Sequence, residues 1–184
     1  MCDEGSELKK NEWVGAAVDR YSGPLIRYAM LITGDLELAK DVVQDTLVRL
    51  CAQKPERVNS HLALWLFTVC RNRALDVRRK ESRMKALSDV ELHLQASPEP
   101  SPATQAERRE SAGDVLELLA RLPKNQQEVV RLRFQNGLSY HEISSITNLT
   151  VSNVGFLIHT AVKTIRRQLE SKLSATANPS RKSL

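Results

Sequence analysis

The sequence predicts an all-α protein of two small helical domains joined by a flexible linker, and three observations lead there. Leu, Ala, Arg and Glu dominate, Gly and Pro number seven each, and aromatic residues make up 4%, a composition that suits helices better than a sandwich or barrel. Apolar residues recur at helical spacing over two separate stretches, from residue 12 to 85 and from 114 to 165. Between them Ser97-Pro98-Glu99-Pro100-Ser101-Pro102 sets prolines at alternate positions, which rules out a helix and favours an extended connection. The expected division is a first domain at 8–87, a linker at 88–112, a second domain at 113–172 and a disordered tail at 173–184. Each domain stays below roughly 100 residues and buries a modest core.

Trp13, Ala17, Tyr21, Leu25, Tyr28, Ala29 and Ile32 mark the first helical stretch, with Ser22-Gly23-Pro24 inside it as a break or helix start. It reads as two segments or one kinked helix. After Thr33-Gly34-Asp35, the positions Leu36, Ala39, Val43, Thr46, Leu47 and Leu50 give a second helix that stops at Lys54-Pro55, and a loop is expected at 55–60. The segment from His61 to Lys85 opens apolar, with Leu62, Leu64, Trp65, Leu66, Phe67 and Val69, and then turns basic. Arg71 to Lys85 carry seven basic residues against Asp76 and Glu81, a surplus equal to the whole chain's net charge of +5. The first half of this helix should anchor in the core, Trp65 included. The second half should present Asn72, Arg73, Asp76, Arg79, Lys80 and Arg83 to solvent or phosphate. On the second helix Glu37, Asp41 and Asp45 stand four residues apart beside Gln44, which makes an acidic stripe. A solvated face is the plain reading of either charged surface, and spacing alone leaves it open.

In the second domain Val115, Leu118, Leu119 and Leu122 mark a helix that stops before Pro123, and Val129, Val130, Leu132 and Phe134 mark another that Gly137 can end. Ser139 and Glu142 have the spacing of a capping box, which starts a helix with Ile143 and Ile146 on its apolar face. Asn148-Leu149 makes a turn, Thr150 can cap, and a further helix follows with Val151, Val154, Ile158, Ala161, Val162 and Ile165 at the buried positions. Two helices joined by a short turn form a helix-turn-helix, whose second helix can enter a major groove. Lys163, Arg166 and Arg167 add the positive charge that phosphates need. An ordinary helical hairpin shares the layout.

Other function classes find little support. Cys2, Cys51 and Cys70 are an odd number without Cys-x-x-Cys or Cys/His spacing, so they read as reduced thiols and no metal site or disulfide framework is indicated. His61, His93, His141 and His159 are isolated, and no carboxylate pair joins them in a catalytic pattern. No enzyme, catalytic residue or cofactor is expected. Met1 to Lys10 is acidic and polar, and no stretch approaches the roughly 20 apolar residues of a membrane span. The expectation is a cytoplasmic protein without membrane insertion.

The stretch Ala39 to Leu50 (AKDVVQDTLVRL) followed by Trp65 to Arg79 (WLFTVCRNRALDVRR) resembles the first domain, region 2, of the extracytoplasmic-function (ECF) group of bacterial RNA polymerase sigma factors. Leu119-Ala-Arg-Leu-Pro123, Gln127-Glu-Val-Val130 and Gly137-Leu-Ser-Tyr-His-Glu-Ile143 are similar to that group's second domain, the region 4 helix-turn-helix. The resemblance covers nearly all of residues 10 to 170 in the right order. It implies a non-catalytic factor that binds core polymerase and directs promoter recognition, melting and transcription initiation, with region 2 at the minus-ten element and region 4 at minus thirty-five. It assigns Asp41, Gln44 and Asp45 to the coiled coil of the beta-prime subunit, and Asn72, Asp76, Arg79 and Lys80 to minus-ten DNA. The beta flap and an anti-sigma partner are further implied contacts that no residue here shows.

One departure stands out. The family commonly has a basic residue, Ser and Arg after the valine of the recognition helix, whereas Val154 is followed here by Gly155-Phe156-Leu157. Arg is the commonest specific reader of a major groove, so minus-thirty-five specificity must lean on Ser152, Asn153, His159, Thr160, Lys163 and Arg166, or on DNA shape. The rival reading, a stand-alone helix-turn-helix regulator, leaves the acidic stripe and the Trp65 to Arg79 segment unexplained.

Overall fold

Helix α1, Glu4–Thr33, is the longest element of the computed structural model, which describes residues 4–88 and 110–176. The choice left open at Pro24 resolves to one continuous helix, in which the Ser22 hydroxyl donates to the Val18 carbonyl at 2.6 Å one turn before the proline. Gly34, at φ +77°, ends it by donating its N–H to Met30, the left-handed stop that glycine takes at no Cβ cost. Asp35 then caps α2, Leu36–Cys51, accepting from the Leu38 N–H at 2.9 Å.

The expected loop at 55–60 is instead a short helix, α3 (Pro55–Val58), and a 3₁₀ turn, Asn59–His61. Pro55 suits a first helical position, where its missing N–H costs nothing, and the Trp13 indole N–H donates to the Asn59 side chain to pin the turn to α1. Helix α4, Leu62–Ser88, packs on α1 and α2. Leu25, Tyr28, Ala29, Val42, Leu50, Leu66, Phe67, Cys70 and Ala74 form the buried centre of this bundle, with Trp65 packed partly buried against it.

The second domain comprises α5 (Glu110–Ala120), α6 (Lys124–Val130), α7 (Tyr140–Thr147) and α8 (Val151–Thr176). A π-helical turn, Arg131–Gln135, extends α6 and ends at Gly137 with φ +69°. Buried Gln127 donates to the Ala120 and Leu122 carbonyls at 2.9 and 2.7 Å, giving partners to the orphaned end of α5. Helix α8 runs to Thr176, past the expected domain end at residue 172, because Ser171 to Thr176 contains no Gly or Pro to stop it. The body of the expected linker, 89–109, and residues 177–184 of the expected tail lie outside the described residues. Among the described residues there is no strand, and no helix is long and apolar enough to cross a membrane.

Three positions of the apolar period are exposed, one of them, Val162, expected to be buried. Phe134 is 64% accessible, and Val115 and Val162 are also open. These three line one side of an apolar groove with Leu116, Val130 and Ile165, so their period was real while the surface it marks is unpartnered. Leu157, which was not expected among the buried positions of α8, is buried.

The two domains share a continuous core. Helix α7 packs on α4 and α6 touches α1, so Ile143, Ile146, Val154 and Ile158 join the same buried cluster as the first domain's residues. At this contact Glu128 Oε1 accepts from Tyr28 Oη at 2.8 Å and from Arg71 Nε at 2.7 Å, with the Arg71 and Glu128 side chains only 15% and 16% exposed. Burial, followed by the Glu128 charge, pushes the Tyr28 phenol well above its ordinary range. Burial opposes the Arg71 charge, but its hydrogen bond and pairing with Glu128 outweigh that and raise its pKa.

Candidate polymerase and promoter interface

The acidic stripe lies on the solvent side of α2, because Ala39, Val42, Val43, Thr46 and Leu50 turn to the core. Asp41 and Gln44 are exposed, and Asp45 is about half exposed, with its Oδ2 accepting from Arg73 Nε at 2.7 Å. This ion pair ties the stripe to α4. Counting in turns of three and four from Asp41 adds Val48, which is 62% exposed. Sequence reasoning passed over this apolar member of the face, although the spacing that found the acids also reaches it.

On α4, Asn72, Asp76, Arg79 and Lys80 are all exposed and recur at helical spacing on one side. Asp76, Arg79, Lys80, Arg83 and Met84 line one shallow concavity, with Arg79 Nη1 donating to Asp76 Oδ1 at 3.1 Å. Beneath this face Cys70 and Ala74 are buried, and burial pushes the Cys70 thiol up to about 12, a neutral packing group at physiological pH.

The helix-turn-helix is assembled from local signals. The Glu142 N–H donates to Ser139 Oγ at 3.2 Å, and the Ser139 N–H and hydroxyl each donate to Glu142 Oε2 at 2.7 Å. Those two hydrogen bonds hold the Glu142 carboxyl below its ordinary range. Asn148, at φ 58°, makes the turn, and Thr150 Oγ1 accepts from the Asn153 N–H at 3.2 Å to start α8. Val154, Leu157, Ile158 and Ala161 face inward. Ser152, Asn153, His159, Lys163 and Arg166 are exposed and Thr160 is half-buried. His159, Thr160, Lys163 and Arg166 share a concavity with Thr164, Arg167 and Glu170, whereas Ser152 and Asn153 lie beyond it at the helix start. Phe156 lines the same concavity and is 66% exposed.

Among the described residues no group of three or more His, Cys, Asp or Glu side chains is placed to hold a metal ion. The described surface includes the three polar faces and the apolar groove of the second domain.

Comparison with known proteins decides the family. Residues 17–84 match Sigma-70 region 2 and residues 112–165 match Sigma-70 region 4. The ECF RNA polymerase sigma factor SigM of Bacillus subtilis is 31% identical over 134 residues, covering 72% of this chain and 80% of that protein. The chain belongs to the ECF sigma factors. SigL of Mycobacterium tuberculosis, of the same family, is 29% identical over 158 residues, covering 84% of this chain and 88% of SigL. The fold is that of the sigma factor RpoE from Bartonella quintana, solved with the anti-sigma factor NepR, at TM-score 0.61 and 23% identity over 85% of this chain and 96% of that one. CnrH, solved with the cytosolic domain of CnrY, gives TM-score 0.54 and 23% identity over 88% and 90% of the two chains. As an ECF sigma factor the protein binds core RNA polymerase and directs promoter recognition and initiation, and the stand-alone regulator is not favoured.

Proposed function

We propose that this sigma factor divides its work among its separate faces. Asp41, Gln44, Asp45 and Val48 on α2 meet the beta-prime coiled coil. Asn72, Asp76, Arg79 and Lys80 on α4 hold the minus-ten element as it melts. Ser152, Asn153, His159, Thr160, Lys163 and Arg166 on α8 dock at minus thirty-five. The observation that carries this reading is that each set lies on the open side of a helix whose opposite side is buried: Val42, Val43 and Thr46 on α2, Ala74 on α4, and Val154, Leu157, Ile158 and Ala161 on α8. In the second domain the groove formed by Val115, Leu116, Phe134, Val162 and Ile165 adjoins the His159 and Lys163 concavity of α8, the two meeting at Arg166 and Glu170. An apolar groove beside a DNA-docking helix suits the beta flap, which would hold region 4 on polymerase. The factor would work without catalysis of its own, in the cytoplasm where polymerase is, and an anti-sigma partner of the kind seen with RpoE would hold it inactive.

Core polymerase mixed with the full chain tests the assignment. The D41A/D45A pair should weaken assembly with core at least tenfold while leaving free duplex binding unchanged. Loss of DNA binding with intact assembly would overturn the division of faces.

A further inference from the structure

We infer that Phe156 is a base-reading residue of this sigma factor, and that it reads the 5-methyl group of a thymine in the minus-thirty-five element. The inference rests on the reading of α8 as the helix that enters the major groove. Phe156 is not a core residue. Its neighbours Val154, Leu157 and Ile158 are all buried, whereas its ring is 66% exposed. Leaving that much apolar surface in water forgoes most of what burying a Phe contributes. The ring sits on the groove-facing side, one turn after Ser152 and one turn before His159 and Thr160. The same concavity holds Lys163, Arg166 and Arg167. The concavity thus sets an exposed aromatic ring beside three cations, with Glu170 also in its lining, and an apolar group beside positive charge fits a base edge flanked by phosphate.

Chemistry narrows the base. A phenyl ring has no donor for guanine O6 or N7 and no acceptor for the amino groups of adenine or cytosine. The apolar group that an unmodified duplex presents in its major groove is the thymine methyl. Gly155 strengthens the case. A Cβ there would lie 3.6 Å from Tyr140, in ordinary contact, so the glycine is not demanded by internal packing, and it leaves the backbone beside Phe156 without a side chain.

The experiment uses the full chain with core polymerase and a pool of promoters randomised across the minus-thirty-five region. The selected duplex is then remade with each thymine in turn replaced by deoxyuridine, which removes only the methyl. One replacement should weaken wild-type binding about three- to fivefold, the size expected for one buried methyl. F156A should lose the same factor on the thymine duplex and ignore the replacement, while F156L keeps part of the discrimination. The inference is overturned if no thymine methyl matters to the wild type, if methyl sensitivity survives in F156A, or if F156A impairs assembly with core rather than DNA binding. The Lys163→Ala variant separates this from the underlying reading. If K163A also leaves binding unchanged, α8 is not the docking helix. If K163A weakens binding and no methyl matters, Phe156 alone has been misassigned.

From the contact between the domains we also infer that Glu128 is a latch, closed on Tyr28 and Arg71, that must open for both promoter elements to be engaged. Minus ten and minus thirty-five lie about 25 base pairs apart, roughly 85 Å of duplex. A packed body of about 150 residues, the size of the described part, has a radius of gyration of about 15 Å and is about 40 Å across. Closed, it leaves both DNA faces exposed but too near each other. The chain between Ser88 and Glu110 can extend over roughly 70 Å, enough to let the domains part. Beside the apolar contact of α7 with α4, a mostly buried carboxylate that accepts from a phenol and a guanidinium on the other domain adds directional bonds that a charge reversal would turn into repulsion.

Small-angle scattering of the full chain reads this directly. E128K should enlarge the radius of gyration by a quarter or more at unchanged helical signal and tighten assembly with core at least threefold. The charge swap R71E/E128K should restore both. Unchanged dimensions, or expansion without tighter assembly, would overturn the latch. If E128K lowers the helical signal, E128Q decides by the same two readouts.

Discussion

The two helices proposed to meet promoter DNA, at the end of α4 and the start of α8, are built to opposite plans. The α4 face is charged from Arg73 onward and carries its own acid, Asp76, bonded to Arg79. The first two turns of α8 expose Ser152, Asn153, Phe156 and His159, and a lysine or arginine enters only at Lys163. Charge binds any phosphate backbone and is screened by salt, whereas neutral polar and apolar groups discriminate between bases. The contrast therefore separates affinity from specificity along the molecule. The α4 face is suited to gripping strands, and the tip of α8 is suited to choosing a site.

The largest expected effect lies on α4. Asn72 is exposed beside the base of the cationic run, where its amide can pair bidentately with the edge of an unstacked base, and a good bidentate pair is worth about 1–3 kcal/mol. N72A should lower the melted fraction of promoter tenfold or more, read by permanganate reactivity of unpaired thymines, with thermal stability unchanged. Equal reactivity in variant and wild type would remove α4 from strand capture.

Next comes K163A. Losing one phosphate contact should weaken promoter binding several-fold at low salt and reduce the slope of log affinity against log salt by about 1. A Ser152→Ala change should leave that slope alone. Equal slopes for the two variants would erase the distinction drawn between the cationic and neutral parts of α8.

Gly155 sharpens the comparison from the side of stability. Glycine inside a helix costs about 1 kcal/mol relative to alanine, and an added Cβ meets only the Tyr140 ring at ordinary contact distance. Gly155→Ala should therefore stabilise the second domain by about 0.5–1 kcal/mol, measured by denaturant unfolding. If promoter affinity falls as stability rises, the glycine serves the DNA side of the helix. If stability falls, Tyr140 cannot give way as the open contact suggests.

Local chemistry was the legible part of this chain. Ser139 and Glu142, Asn148, Thr150 and Gly137 each announce a cap or turn through residues a few positions apart, and each takes the expected place. The exposed sides of α2 and α4 follow from helical period alone. What the sequence hides depends on residues far apart in the chain. Asp45 reads as one more acid until Arg73 is folded against it. Glu128 reads as a surface residue until α6 meets Tyr28 and Arg71. Val162 and Phe134 obey the apolar period, but period marks an apolar stripe without saying what will cover it. The proline-rich stretch suggested two independent domains, and nothing local signals that Ile143 and Ile146 will join the first domain's core.

The smallest effect tests the acid on the α4 face. The Asp76 and Arg79 side chains are both more than half exposed, and an exposed pair of this kind contributes about 0–0.5 kcal/mol. D76N should leave the unfolding midpoint unchanged. Its consequence falls on DNA instead, because the amide no longer competes with phosphate for the Arg79 guanidinium. Binding to non-promoter duplex should tighten about twofold, and more at low salt than at high. If Asp76 only restrains Arg79, promoter melting by D76N polymerase will match the wild type. If the carboxylate itself accepts a hydrogen bond from an exposed base, melting falls while non-promoter binding still rises. In that case the acid is a reader in its own right, and the α4 face resembles the tip of α8 more than its charge suggests.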